Sequence, residues 1–211
     1  MLRKNRYLFG DDTLTIAQIW QRLCPDSTEY RFLVPEGWGK NLALDAEITS
    51  SHPASADGLK MLIDNDGFTA WTSAKGDTLP VLALRWKSPV RFNRLIVFNL
   101  YTQSRGTACG CNAAKMVVLE IPHPKNPDSI IAAYELNLPE PTEACFLSSD
   151  RKGQVCFYIP SAKPVILEFP EINTDIIRIR VKQTCWLDPA YEYFSEELDC
   201  SLSEIMLFLA R

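Results

Sequence analysis

Histidine is nearly missing from this chain: 211 residues contain two, His52 and His123. That scarcity leaves few positions for general acid–base work or for a histidine metal centre. His123 stands between Pro122 and Pro124, where a solvated loop is expected. His52 follows Ser50 and Ser51, but neighbours on a strand face opposite sides, so no Ser-His pair forms from adjacency alone. Also absent are G-x-S-x-G, H-E-x-x-H and any glycine-rich dinucleotide pattern. Gly37-Trp38-Gly39-Lys40 has neither Walker spacing nor a hydroxyl residue after its lysine. The run Ser195-Glu196-Glu197-Leu198-Asp199 reads as a solvated loop rather than a catalytic carboxylate pair. Catalysis is therefore not expected.

Runs of basic residues are lacking too. A net charge of -4 and a pI near 5.3 exclude a nucleic-acid binder that works by neutralising phosphates. No stretch is long and apolar enough to cross a bilayer, so no membrane span is expected. The opening MLRKNRYLFGDDTLT has no apolar core of signal-peptide length, which predicts synthesis in the cytoplasm without a signal peptide. Seven cysteines are an odd number, and reduced thiols are the default without export. Two pairs stand out as disulfide candidates, Cys145 with Cys156 across an expected hairpin and Cys185 with Cys200 across a long loop. Cys109-Gly-Cys111 lacks the two-residue spacing usual for zinc.

What is present is β-pattern. Hydrophobic residues make up 46% of the chain, enough for a substantial core. Ile176, Ile177, Ile179 and Val181 interleave with Arg178, Arg180 and Lys182. Further strands are predicted over Leu79–Trp86, Arg91–Tyr101, Ala114–Ile121, Ile130–Leu138, Gln154–Ile159, Val165–Phe169, Asp175–Gln183 and Leu202–Leu209, with Pro122–Pro127 as a loop. Many short strands with proline-containing turns predict an all-β antiparallel jelly-roll sandwich. Residues 1–39 differ in texture. Asp12 can cap a helix to about Cys24, with Ile16, Ile19, Trp20 and Leu23 on one stripe and Pro25 at the stop. The division predicted is an N-terminal helical extension over 1–39 and a β-sandwich domain over 40–211. The stripe either packs on its own sandwich or docks a protein partner or a second copy.

The richest stretch runs from Asn41 to Ser73. Leu42, Leu44, Ala46 and Ile48 alternate as in a half-buried strand, and Asp64-Asn65-Asp66-Gly67-Phe68-Thr69-Ala70-Trp71 follows. Asp64, Asp66 and Thr69 can wrap oxygens around one hard cation if the chain turns at Gly67. An EF-hand is excluded, since its twelfth position would need glutamate and this chain has Lys75. The alternative is an Asx turn that satisfies only its own backbone.

The order asparagine-leucine-alanine, then an aspartate turn, then Thr69 and Trp71, resembles the discoidin, or coagulation factor 5/8 type C, family of galactose-binding-like jelly rolls. Asn65 stands where that family usually has its first glycine, and Ala70 where arginine is common. The resemblance implies a structural calcium ion (Ca2+) held by the carbonyls of Met61 and Ser203 and the side chains of Asp64, Asp66, Thr69 and Glu204. It also implies ligand recognition by loops at one end of the sandwich. Three loops qualify: 50–59 with His52; 101–112 with Arg105, whose fork suits a hydroxyl pair or carboxylate; and 184–201 with Trp186, Tyr191, Tyr193 and Phe194. Those aromatic residues serve either as exposed anchors or as loop packing. The function expected is non-catalytic binding of a carbohydrate or another cell-surface ligand, with a virion or phage tail as one setting. The rival is a structural, protein–protein interaction subunit of a larger assembly.

Overall fold

The computed structural model describes residues 6–9, 12–15, 34–53, 56, 58–65, 69–98, 111–139, 142–148, 154–159, 164–185, 199–202 and 204–210. Its strands are β1 (Arg6–Phe9), β2 (Asp12–Thr15), β3 (Glu47–Ser50), β4 (Trp71–Thr72), β5 (Val81–Phe98), β6 (Cys111–His123), β7 (Asn126–Asn137), β8 (Thr142–Ser148), β9 (Gln154–Ile159), β10 (Val165–Cys185), β11 (Asp199–Leu202) and β12 (Glu204–Phe208). Short 3-10 turns cover Leu42–Asp45 and Leu59–Leu62, and no α-helix occurs among the described residues. The result is the expected antiparallel β architecture.

An eight-stranded sheet runs β12-β5-β10-β6-β11-β4, with β3 added on β5 and β7 on β6. Every pairing in it is antiparallel except β6 with β11. A second sheet runs β2-β1-β8-β9. Two long strands organise the larger sheet. Through Val81–Arg85, β5 pairs with β3 and β10; through Arg94–Phe98, it pairs with β12 and β10. The sequence predicts a break at Lys87-Ser88-Pro89-Val90, and there the structure keeps one strand. Pairing jumps from Arg85↔Ile176 to Val90↔Thr174, so Pro89 falls in a bulge where the ladder asks nothing of its missing N–H. Pro170 sits in the corresponding gap of β10, between Glu168 and Ile172, and the two strands predicted there are likewise one. The loop expected over Pro122–Pro127 is the tight turn of the β6–β7 hairpin, with His123 opposite Asn126.

The inner face carries the core: Leu82, Leu84, Trp86 and Phe92 of β5, Val117, Leu119 and Ile121 of β6, and Ile177, Ile179 and Val181 of β10 are all buried. Trp71 joins them, so Trp71 and Trp86 both lie in the core. Phe92 meets Phe169 edge-on at 5.8 Å, and Phe169 stacks on Tyr134 at 5.2 Å, which fixes β7 against β10. From Leu95 onward β5 is buried on both faces. Ile96, Phe98, Met206 and Phe208 form a second cluster against Trp38, whose ring lies 5.4 Å from that of Phe208.

Two local expectations fail. Asp12–Thr15 is strand β2, not the first turn of a helix, and it pairs antiparallel with β1 as Phe9↔Asp12 and Arg6↔Thr15. Thr13 and Thr15 are β-branched, and Gly10-Asp11 is a two-residue hairpin signal that outweighs the cap at Asp12. The remainder of that stretch, with Ile16, Ile19, Trp20 and Leu23, lies outside the described residues. The alternating segment from Leu42 is a 3-10 turn before it becomes strand, so Ala43, Ala46 and Ile48 are buried while Leu44 is 45% exposed.

On the outer face Glu120 is buried and accepts two bonds from Arg180, Nε–Oε1 at 2.6 Å and Nη2–Oε2 at 3.2 Å. That hydrogen bond raises the Arg180 pKa above its ordinary value, against a smaller opposing effect of burial. Replacing Arg180 with methionine strands a buried carboxylate, and urea unfolding is expected to show a loss of about 2 kcal/mol. Lys40→Met, which breaks the exposed pair with Asp45, is expected to change stability by less than about 0.5 kcal/mol.

Candidate functional site

The site region is tied together by Asn41. Its side chain is 5% exposed, and its Oδ1 accepts from the backbone N–H groups of Ala43 and Leu207, each at 3.0 Å. Its Nδ2 donates to Oδ1 of Asn65 at 2.8 Å. One amide thus joins the first turn of the domain, the last strand and the loop that begins the aspartate cluster. Asn65 has φ +64°, in the left-handed region. Asparagine visits that region more readily than other non-glycine residues, which explains its place where a glycine was expected.

Beside this knot lies a group of oxygens. The Thr69 hydroxyl oxygen is 3.1 Å from the Met61 carbonyl oxygen and 3.1 and 3.0 Å from the two carboxylate oxygens of Asp64. A hydroxyl carries one hydrogen and can satisfy only one of the three acceptors at a time. Glu204 is 0% exposed at the start of β12. Leu202 at the end of β11 lies opposite Trp71 at the start of β4, and Glu204 follows the one by two residues as Thr69 precedes the other by two. β12 also packs on the Leu59–Leu62 turn that leads to Asp64. The turn that leads to Asp64 and the closing strand therefore lie side by side. Asp66 and Ser203 lie outside the described residues. Among the described residues, no three histidine, cysteine, aspartate or glutamate side chains gather in a metal-binding group. A cation here would depend on carbonyl and hydroxyl oxygens as well as carboxylates, a donor set that suits calcium.

A cavity of about 340 Å³ opens where β3 ends and β5 begins, lined by Ser51, His52, Lys75, Gly76 and Asp77. The ladder extends past β3, since Ser51 N–H donates to the Val81 carbonyl at 2.8 Å and Val81 N–H donates to Ser51 Oγ at 3.1 Å. That acceptor role leaves the hydroxyl hydrogen of Ser51 to point elsewhere. Across from it, Asp77 N–H closes a turn on the Ala74 carbonyl at 2.9 Å, with Gly76 at φ +85° as a type II turn demands. The turn is anchored to β11, because Ser73 N–H donates to the Cys200 carbonyl and Cys200 N–H to Ser73 Oγ, both at 2.8 Å. The walls thus present a hydroxyl, an imidazole, an ammonium and a carboxylate within one concavity. Because the strand ends at Ser50, Ser51 and His52 both line the cavity, and the opposite-faces rule does not separate them.

Of the six ligand residues expected from sequence, His52 is placed, exposed, in this cavity. Arg105, Trp186, Tyr191, Tyr193 and Phe194 lie outside the described residues. The sequence reading missed Lys75, Gly76 and Asp77. The signal available was Gly-Asp between two β-like runs, a turn that had to border a loop at a strand end.

No family model matches the chain, and no curated protein matches it by sequence. Solved structures do. The CBM32-3 module from a family 31 glycoside hydrolase of Clostridium perfringens gives a TM-score of 0.51 at 13% identity, over 80% of this chain and 93% of that one. A fucose binding module of Streptococcus pneumoniae gives 0.48 at 14% identity, over 83% and 98%. The CBM32-1, CBM32-2 and M60 catalytic domains of Clostridium perfringens ZmpB give 0.49 at 11% identity, over 89% of this chain. The chain spans only 16% of that ZmpB chain. At 13% identity the likeness to the CBM32-3 module shows a shared fold.

Replacing Asn41 with leucine leaves two buried N–H donors without their acceptor. A loss of about 2–4 kcal/mol is expected in urea unfolding, with the larger part arising from the broken link to β12.

Proposed function

We propose that this chain is a non-catalytic carbohydrate-binding module that takes a saccharide in the cavity lined by Ser51, His52, Lys75, Gly76 and Asp77. The observation that carries this reading is the cavity itself: mixed donors and acceptors held on rigid strand ends match the hydroxyl array of a sugar ring. The fold shared with the CBM32-3 module supports it. In this reading Arg105 and the aromatic residues Trp186, Tyr191, Tyr193 and Phe194 supply further contacts, the aromatic rings by stacking on the apolar face of a sugar. Calcium has a structural role, held by Asp64, Asp66, Thr69, Glu204 and the carbonyls of Met61 and Ser203. The gathering of the Met61 carbonyl and the Asp64 carboxylate oxygens within 3.1 Å of the Thr69 hydroxyl oxygen supports a cation there. Such an ion would pin the loop before β4 to the last strand and would take no part in chemistry.

A glycan array followed by calorimetry tests the ligand. At least one saccharide is expected to bind, and His52→Ala and Lys75→Ala are each expected to weaken it about tenfold with thermal stability unchanged, about one lost hydrogen bond each. Binding that survives both substitutions, or no bound saccharide at all, contradicts the reading.

The ion is tested separately by thermal unfolding. Millimolar calcium against a chelator is expected to raise Tm by about 5 °C, as a ligand in large excess over its Kd does. Asp64→Asn is expected to abolish that rise. An unchanged wild-type Tm removes calcium from the account.

A further inference from the structure

The register of β8 against β9 places Cys145 directly opposite Cys156. The ladder runs unbroken from Thr142↔Ile159 through Ala144↔Phe157 and Phe146↔Val155 to Leu147↔Gln154, so the cysteine pair is interior to it, with paired residues on both sides and no bulge. Residues directly opposite in an antiparallel pair have Cα atoms about 4.5 or 5.5 Å apart, depending on whether the position is hydrogen-bonded. Both values fall inside the span of about 4.4–6.8 Å that a disulfide bridges. The other pair suggested by spacing fails the same test. Ala113 of β6 pairs with Cys185 on one side and with Ser201, next to Cys200, on the other. Cys185 and Cys200 are therefore on strands separated by β6, about 10 Å apart at two strand spacings, beyond disulfide reach. Cys200 is buried.

We propose that Cys145 and Cys156 form a cross-strand disulfide when the protein meets an oxidising, disulfide-containing environment. With oxidised glutathione as oxidant, one cysteine thiolate attacks a glutathione sulfur, forms a mixed disulfide and releases one glutathione thiolate. The second cysteine, as thiolate, then displaces the other glutathione and closes the bond. Two protein thiols lose two electrons and two protons in all, and one glutathione disulfide becomes two thiols. The bond would lock the β8–β9 hairpin, an edge strand and its inner neighbour in the sheet that also holds β1 and β2. Because its closed loop is short, the stabilisation is at the modest end for a disulfide.

The test uses the full chain and an intrinsic marker. Arg151 and Lys152 lie between the two cysteines, so trypsin separates Cys145 and Cys156 onto different peptides. After equilibration with oxidised glutathione, alkylation and digestion, mass spectrometry is expected to find these peptides joined, lighter than their sum by two hydrogens and separated by reduction. The oxidised protein is also expected to melt a few degrees higher than the reduced protein, a difference absent from a Cys145→Ser/Cys156→Ser double variant. Two singly alkylated or glutathione-capped peptides, or either cysteine joined to a third, would overturn the proposal. The peptide readout needs only the unaltered protein, so a variant that fails to fold leaves it decisive.

Discussion

The side chain of Asn41 is the constraint on which the site region depends. Its carbonyl oxygen holds two backbone donors from opposite ends of the domain, and its amide reaches Asn65. A hydrophobic contact could hold these segments near one another but could not set their register. A buried amide with directional bonds does set it, because any slip leaves donors without partners in a dry interior. Trp38 bridging Ala210 and Gly39 donating to the Leu209 carbonyl extend the same closure outward. With the segment near 40 fixed to the last strand, the segment over 59–65 is held beside it through Asn65.

The cavity owes its position to a different feature, the continuity of β5 and β10. Each passes through a proline-bearing bulge without ending, so one pair of strands serves both the β3 side and the β12 side of the core. Bulges are where such strands change direction while keeping their inner residues buried. Leu82 and Leu84 at one end and Leu95 and Val97 at the other share the same apolar cluster. The start of β5 is therefore rigid, and the turn at Lys75-Gly76-Asp77 that precedes it is presented on a fixed base beside His52. A binding surface built on such a base requires little reordering when a ligand arrives.

Much of the fold is legible in the chain because the inner face of β10 alternates so cleanly and because the aspartate cluster leads into Trp71 at a fixed distance. The contact between the Leu59–Leu62 turn and β12 was approached only through the discoidin resemblance, since no local pattern encodes it. The prolines misled: Pro89 and Pro170 read as strand ends, yet a strand ends only where its partners do, and partners are set by distant residues. Asp12 misled likewise, since a capping residue and a strand residue look alike until β1 supplies a hydrogen-bonding neighbour. Lys75 and Asp77 were invisible as site residues because what makes them so is proximity to Ser51 and His52, and no local pattern encodes that.

A fold shared with the CBM32-3 module and a polar cavity beside β3 and β5 meet in this chain. The central claim is that saccharide enters that cavity. The most direct measurement is a two-dimensional 1H–15N titration of the labelled protein with the saccharide that binds it. The account predicts saturable shifts concentrated at Ser51, His52, Lys75, Gly76 and Asp77, with β7 unaffected. Shifts confined to the outer face of β6 and β7, with the cavity amides unmoved, would contradict it.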